Sequence, residues 1–143
     1  MIPSDVRTIK DLHRIVEERD AKNVTIALTD TNGLLRGKYV SRDKLYSVLE
    51  NGWGMPPVVL ALDFRDIIME APLIADGSDG FADTMTRALP ETCREIPWET
   101  PGRNLLVLAE FAGEHEEICP RGIYRRIEKM AGDMGYQPYH ALE

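Results

Sequence analysis

Residues 23–40 constrain this chain more than any other stretch. Val24, Ile26 and Leu28 alternate with Thr25, Ala27 and Thr29, the period-two pattern of a strand with one buried face. Asp30-Thr31-Asn32-Gly33 follows as a turn, and Asn-Gly is a strong hairpin signal because both residues tolerate positive φ. Residues 34–40 read as the returning strand. Ser41 is placed to cap a helix in which Leu45, Val48 and Leu49 form the buried stripe and Gly52 supplies the stop. A hairpin followed at once by a helix has to lay that helix across itself. With further strands downstream, this points to an α+β domain of ubiquitin-like (β-grasp) form.

The other elements follow from the same periodicities. Residues 8–21 predict a helix with Ile9, Leu12, Ile15 and Val16 on one face. Val58-Val59-Leu60-Ala61-Leu62, bounded by Pro57 and Asp63, reads as a short covered strand. Residues 71–84 are loop-like, crowded with Pro72, Asp76, Gly77, Ser78, Asp79 and Gly80. Residues 85–89 read as a short strand, 90–102 as an irregular connection around Trp98, and 105–111 as another buried strand. His115-Glu116-Glu117 is a polar loop. A helix over 120–135 then carries Ile123, Ile127, Met130, Ala131 and Met134 on one side, an apolar stripe that asks for another surface to cover it. The tail Tyr136-Gln-Pro-Tyr-His-Ala-Leu-Glu143 reads as a strand stopping on a carboxylate. An unfinished strand leaves ladder groups unpaired, so the expectation is the front part of a larger protein.

Composition removes several function classes. A hydrophobic fraction of 43% and a charged fraction of 29% over 143 residues suit one globular domain with a real core. The net charge of −7 argues against a nucleic-acid partner, which needs a basic face. No apolar run approaches bilayer length, and the N-terminus lacks the apolar segment of a secretory signal, so the expected location is cytoplasmic. Cys93 and Cys119 stand without a CxxC or histidine spacing, which speaks against zinc and against a disulfide framework. A single disulfide between them is disfavoured in a chain that reads as cytosolic.

Four features are candidates for chemistry, each beside a plainer reading. Arg36 and Lys38 share one face of the second strand, opposite Leu35 and Tyr39. They form either a solvated face or a basic stripe toward a partner or an anionic substrate. Asp63 ends an apolar run and precedes Arg65 and Asp66. It either caps the next turn or, on a rigid element end, holds an ammonium or amine and takes its proton. Asp76, Asp79 and Asp83 do not have EF-hand spacing, which leaves turn chemistry or a loop bringing one acid to a site. Glu143 alone proves nothing, but a second acid two residues on would place two hard oxygen ligands on one strand face.

Taken together these residues resemble a family. Thr29-Asp-Thr-Asn-Gly-Leu-Leu-Arg-Gly-Lys38 resembles the opening hairpin of the glutamine synthetase family. Asp79-Gly-Phe-Ala-Asp83 with Leu89-Pro90 and Ile96-Pro97-Trp98 resembles its glycine-aspartate loop and the path to Pro-Trp. Cys119-Pro-Arg-Gly-Ile-Tyr-Arg resembles the start of its linker helix, and Gly135-Tyr-Gln-Pro before Glu143 looks like the entry to its Glu-x-Glu strand. The motifs run in order along nearly the whole chain.

The resemblance implies a β-grasp N-terminal domain over residues 1–113, then a linker helix and the first strand of a truncated catalytic barrel over 114–143. It implies an ATP-dependent ligase joining ammonia or an amine to the γ-carboxylate of glutamate through γ-glutamyl phosphate, with Mg or Mn. Asp83 matches the loop aspartate near the ammonium site, and Asp63 matches the aspartate lent across a subunit interface. Glu143 matches the first glutamate of Glu-x-Glu and hence a metal ligand. Ala61-Leu62-Asp63 departs from the family's Asp-Gly-Ser-Ser run and is closer to relatives that glutamylate polyamines or other amines. The implied partner is the catalytic domain of a neighbouring subunit in a homo-oligomeric ring. Most of the nucleotide, metal and glutamate sites lie outside this stretch, so the chain alone is expected to be inert and to bind neither ATP nor metal tightly. A rival from another class is a free-standing β-grasp module for binding or assembly, without catalysis; a degenerate pseudo-enzyme is a third.

Overall fold

A computed structural model describes residues 1–69, 78 and 80–139. Three α-helices and five strands alternate along the described residues: α1 (Ile9–Glu18), β1 (Asn23–Thr29), β2 (Leu35–Ser41), α2 (Arg42–Asn51), β3 (Trp53–Met55), β4 (Thr84–Glu95), β5 (Leu105–Phe111) and α3 (Pro120–Asp133). The strands form one mixed sheet in the order β2-β1-β5-β4-β3, with β1 and β5 parallel at its centre and every other pair antiparallel. The local signals explain the helix starts. Thr8 and Asp11 form a reciprocal capping box at α1, and the Ser41 hydroxyl accepts from the Lys44 N–H at α2.

One face of the sheet is covered by α1 and α2. Leu12, Ile15 and Val16 of α1 and Leu45 and Val48 of α2 pack on Val24, Ile26, Leu105, Val107 and Ala109. A second cluster gathers Leu28, Val59, Leu60, Phe111 and Cys119 at the sheet's other end. The sheet curls enough that the Lys38 ammonium, on edge strand β2, lies 5.4 Å from the ring centre of Trp53 on the opposite edge.

Several sequence expectations change. Residues 57–61 form a 3-10 helix, not a strand, so Asp63 follows a helical turn. Pro56 and Pro57 are the reason: Pro57 cannot donate to a ladder but suits the first helical position. Trp53–Met55 is a short edge strand that the pattern missed. Of the expected irregular connection, residues 90–95 instead continue β4, with a register shift between Leu89 and Arg94 that accommodates Pro90, while 96–102 are irregular as expected. The polar loop at His115 is a 3-10 helix over Gly113–Glu117. Of the expected last strand, residues 136–139 adopt none, and 140–143 lie outside the described residues.

The sheet's other face is half covered. Ala109 and Phe111 point into the core, so Glu110 points the other way, and α3 meets it there. The Glu110 side chain is fully buried and accepts from Arg87 Nε at 2.7 Å and from Arg125 Nη1 at 2.8 Å. Both arginines also bind Glu116, at 3.0 and 2.9 Å. A Cβ on Gly122 would meet the Glu116 carbonyl at 2.3 Å, so glycine lets α3 approach this closely. The expected stripe of α3 stays open: Ile127 is 60%, Met130 63% and Met134 71% exposed.

Replacing Glu110 with Gln removes the charge that both arginines share. The expected cost is about 1.5–3 kcal/mol, the range for hydrogen bonds to charged groups. Urea unfolding measures that loss, and amide exchange across α3 is expected to accelerate more than exchange in α1. Equal exchange in both helices would show that the cluster does not hold α3.

Candidate functional site

The candidate site is built around the β1–β2 turn. Asp30 follows directly on β1 with its side chain fully buried. Its Oδ1 accepts from the Asn32 N–H at 2.8 Å and the Leu34 N–H at 2.9 Å, and its Oδ2 accepts from Arg36 Nε at 2.9 Å. Gly33 takes φ 80, whereas Asn32 does not enter the positive region. The turn is therefore wider than a two-residue hairpin and is organised by the aspartate inside it. Burial pushes the Asp30 carboxyl up, but the Leu34 N–H, the Arg36 guanidinium and the Asn32 N–H outweigh it and hold the carboxyl below its ordinary range.

This turn is fastened to the segment bearing Asp63. Thr31 Oγ1 donates to the Leu60 carbonyl at 3.1 Å, and Asn32 Nδ2 to the Leu62 carbonyl at 2.8 Å. Residues 61–69 form a small closed loop: Met69 N–H donates to the Ala61 carbonyl at 2.8 Å, and Leu62 bridges Ile68. Asp63 organises that loop from within. Its Oδ1 accepts from the N–H groups of Arg65 (2.7 Å) and Ile67 (2.9 Å), and with the Arg65 side chain these hold its carboxyl below the ordinary range against partial burial. Asp63 thus does what the plainer reading expected, and among the described residues its Oδ2 is contacted only by Arg65, at 3.4 Å. Phe64, Ile67, Ile68 and Met69 around it are 74%, 53%, 48% and 45% exposed. A carboxylate kept ionised on an anchored loop with an apolar rim can receive a cation from outside the chain.

Asp83 sits just before β4, exposed, and its carboxylate lies against Gly54 of β3, where an added Cβ would stand 2.8 Å from Oδ2. No hydrogen bond or ion pair among the described residues joins Asp83 to Asp63. Glu143, Asp76 and Asp79 lie outside the described residues. Among the described residues no group of three or more His, Cys, Asp or Glu gathers to hold a metal ion, so these residues by themselves form no metal centre. Cys93 and Cys119 are buried free thiols, and burial pushes the Cys93 thiol up to about 11.

Arg36 and Lys38 do share a face, but it is the core face. They stand opposite Leu28 and Ile26, while Leu35, Gly37 and Tyr39 face outward. The outward set lines a groove of about 410 Å³ with Ile96, Pro97 and Trp98. Trp98 is 83% exposed, and the Tyr39 hydroxyl donates to Glu99 at 2.5 Å. Sequence reasoning passed over the pairing of Asp30 and Asp66 with Arg36. The available signal was an aspartate opening the turn and an arginine on the returning strand.

Because its folded carboxyl is depressed, Asp30 contributes stability that is fully present above its ordinary pKa of 3.8 and is lost as pH falls through the lower folded value. Asp30→Asn is expected to cost about 3 kcal/mol at neutral pH, by leaving Arg36 with one anion at a mostly buried position. It is also expected to flatten the loss of stability below pH 4. Urea midpoints at pH 7 and pH 3 test this; an unchanged difference between the two would refute the role given to Asp30.

No protein-family model matches the chain. Type-1 glutamine synthetase 2 of Dictyostelium discoideum is 31% identical over 123 residues, which cover 84% of this chain and 23% of that protein. The gamma-glutamylethanolamide synthetase of Streptomyces coelicolor is 32% identical over 127 residues, covering 87% of this chain and 28% of that protein. Among solved structures, a GmaS–ADP complex superposes with a TM-score of 0.65 at 24% identity, over 88% of this chain and 26% of that one; it speaks to the fold alone. The chain spans about a quarter of the length of the relatives it matches. In sequence the chain resembles proteins named as a glutamine synthetase and a gamma-glutamylethanolamide synthetase, and in fold it resembles GmaS.

Proposed function

We propose that this chain is the N-terminal portion of an ATP-dependent ligase that joins ammonia or an amine to the γ-carboxylate of glutamate through γ-glutamyl phosphate. The observation that carries the reading is the Asp63 loop. Its carboxylate is held ionised by two backbone N–H groups on an apolar, exposed rim that nothing in the described residues covers. In this reading Asp63 is lent to the catalytic domain of a neighbouring subunit in a ring, where it binds the cationic amine and draws off its proton. Asp83 serves the same amine from the far edge of the sheet, and Glu143 is a metal ligand. When bound, Mg or Mn offsets charge on ATP and on the glutamate carboxylate. The relative named for an ethanolamide product, together with Ala61-Leu62-Asp63, favours an amine over ammonia.

Within the α+β fold we read residues 1–113 as a β-grasp domain, supported by the β1–β2 hairpin, the following α2 and the central parallel pair β1 and β5. Residues 114–143 are then the linker helix and the start of the catalytic domain, and the open stripe of α3 belongs to that junction. Two buried unpaired thiols suit a reducing, cytoplasmic setting.

The test is ADP release in the presence of ATP, magnesium, glutamate and an amine or ammonia. The 143-residue chain is expected to give none. The complete gene product is expected to release ADP only with both co-substrates, and Asp63→Asn to lower that rate roughly 10²-fold or more. Turnover by the 143-residue chain alone sinks this account of a divided active site. A complete product without amine-dependent ADP release moves the assignment to a binding or assembly module.

A further inference from the structure

We infer that Arg36 is a positioning residue for the Asp63 loop: it clamps Asp66 of that loop to the buried Asp30 of the hairpin and so sets where the Asp63 carboxylate stands. As a statement about the reaction, the inference rests on the amine-holding role of Asp63 proposed above.

Arg36 projects from an edge strand toward the core side of the sheet, and its side chain is only 18% exposed. A cation in that position needs anions close by. It has two. Nε binds Asp30, and Nη1 binds Asp66 in a short ion pair, while Nη2 is buried with no partner among the described residues. The fork is thus committed to linking two carboxylates from two segments, at the expense of one of its terminal nitrogens.

Asp66 takes φ 64, a region that side chains with a Cβ enter sparingly. Its N–H donates to the Asp63 carbonyl at 3.0 Å, and the Asp63 N–H donates to the Ile67 carbonyl at 2.9 Å. The turn is therefore closed on both sides of Asp66, and a displacement of Asp66 carries Asp63 with it. Thr31 and Asn32 fasten only the entry to the loop, at Leu60 and Leu62. Beyond Asp63, the Asp66 carboxylate is the side chain that ties the loop to the hairpin among the described residues. A lysine at position 36 offers one point charge and no fork, so it does not replace this bridge.

Arg65, in the middle of the loop with its side chain 64% exposed, is a built-in reporter because trypsin cleaves after it. The experiment uses the complete gene product as wild type, R36Q, R36K and D66N. Cleavage after Arg65 is timed by mass spectrometry, and KM is measured for amine, ATP and glutamate. Expected are cleavage roughly tenfold faster in R36Q and R36K, following the loss of a charge-assisted bond that limits loop opening, and a raised amine KM. KM for ATP and glutamate is expected to stay within about twofold, which general destabilisation would not produce. D66N removes only the exposed end of the clamp; it carries the test if the position-36 variants do not fold, and gives the same signature. Unchanged cleavage in D66N overturns the clamp whatever the kinetics. Faster cleavage with an unchanged amine KM overturns the role of Asp63 in holding the amine, and the positioning role with it.

Discussion

A carboxylate cut off from water has to be met by donors, and this fold is organised by two of them, on opposite faces of one sheet. Asp30 gathers two backbone N–H groups and Arg36 on the core side. Glu110 gathers Arg87 and Arg125 on the other. An unmatched buried charge costs several kcal/mol, so neither group is tolerated unless the segments supplying its donors are in place. The result is conditional assembly. The wide turn and the Asp63 loop form around Asp30, while α3 and the Gly113–Glu117 turn form around Glu110. The apolar core stabilises the sheet and helices, and the two acids decide where the irregular pieces sit.

What was legible in the sequence was what local physics dictates. The β1–β2 hairpin, α1, α2 and β5 came from alternation, helical spacing and caps within a few residues of one another. The run over Val58 to Leu62 was misread because five apolar residues fit a covered strand or a buried helical turn equally well, and the two prolines ahead of it decide the matter. The length of β4 was hidden by Pro90, since a bulge absorbing a missing donor has no local signature. The faces of β2 were legible as a pair of faces but not as inside and outside. Polarity assigns Arg36 and Lys38 to solvent, yet the ladder to Leu28 and Ile26 turns them inward. Among the described residues, Asp30 and Asp66 meet the Arg36 charge there and the Trp53 ring meets Lys38.

The candidate site was legible in part. Asp63 and Asp83 carry no local pattern that separates a turn cap from an amine site, and the structure shows Asp63 capping its turn while keeping one oxygen edge lightly engaged. The ordered run of short motifs pointed to the glutamine synthetase family before any geometry was available, and the relatives agree over a stretch equal to about a quarter of their length. The clamp between Asp30, Arg36 and Asp66 was not legible, because its members lie six and thirty residues apart and meet only once the hairpin and the loop are folded.

The docking of α3 has a mechanical side. The helix is pinned near its beginning, at Gly122 and Arg125, and its remaining turns carry an open apolar stripe to Met134. At 1.5 Å per residue, Met134 stands roughly 13 Å beyond the pin, so a tilt of about 10° there moves the far end by roughly 2 Å. A small rearrangement at one buried glutamate is thereby geared up into a displacement as large as a bond length or more at whatever surface covers the stripe. The ion cluster is a pivot, and α3 is its arm.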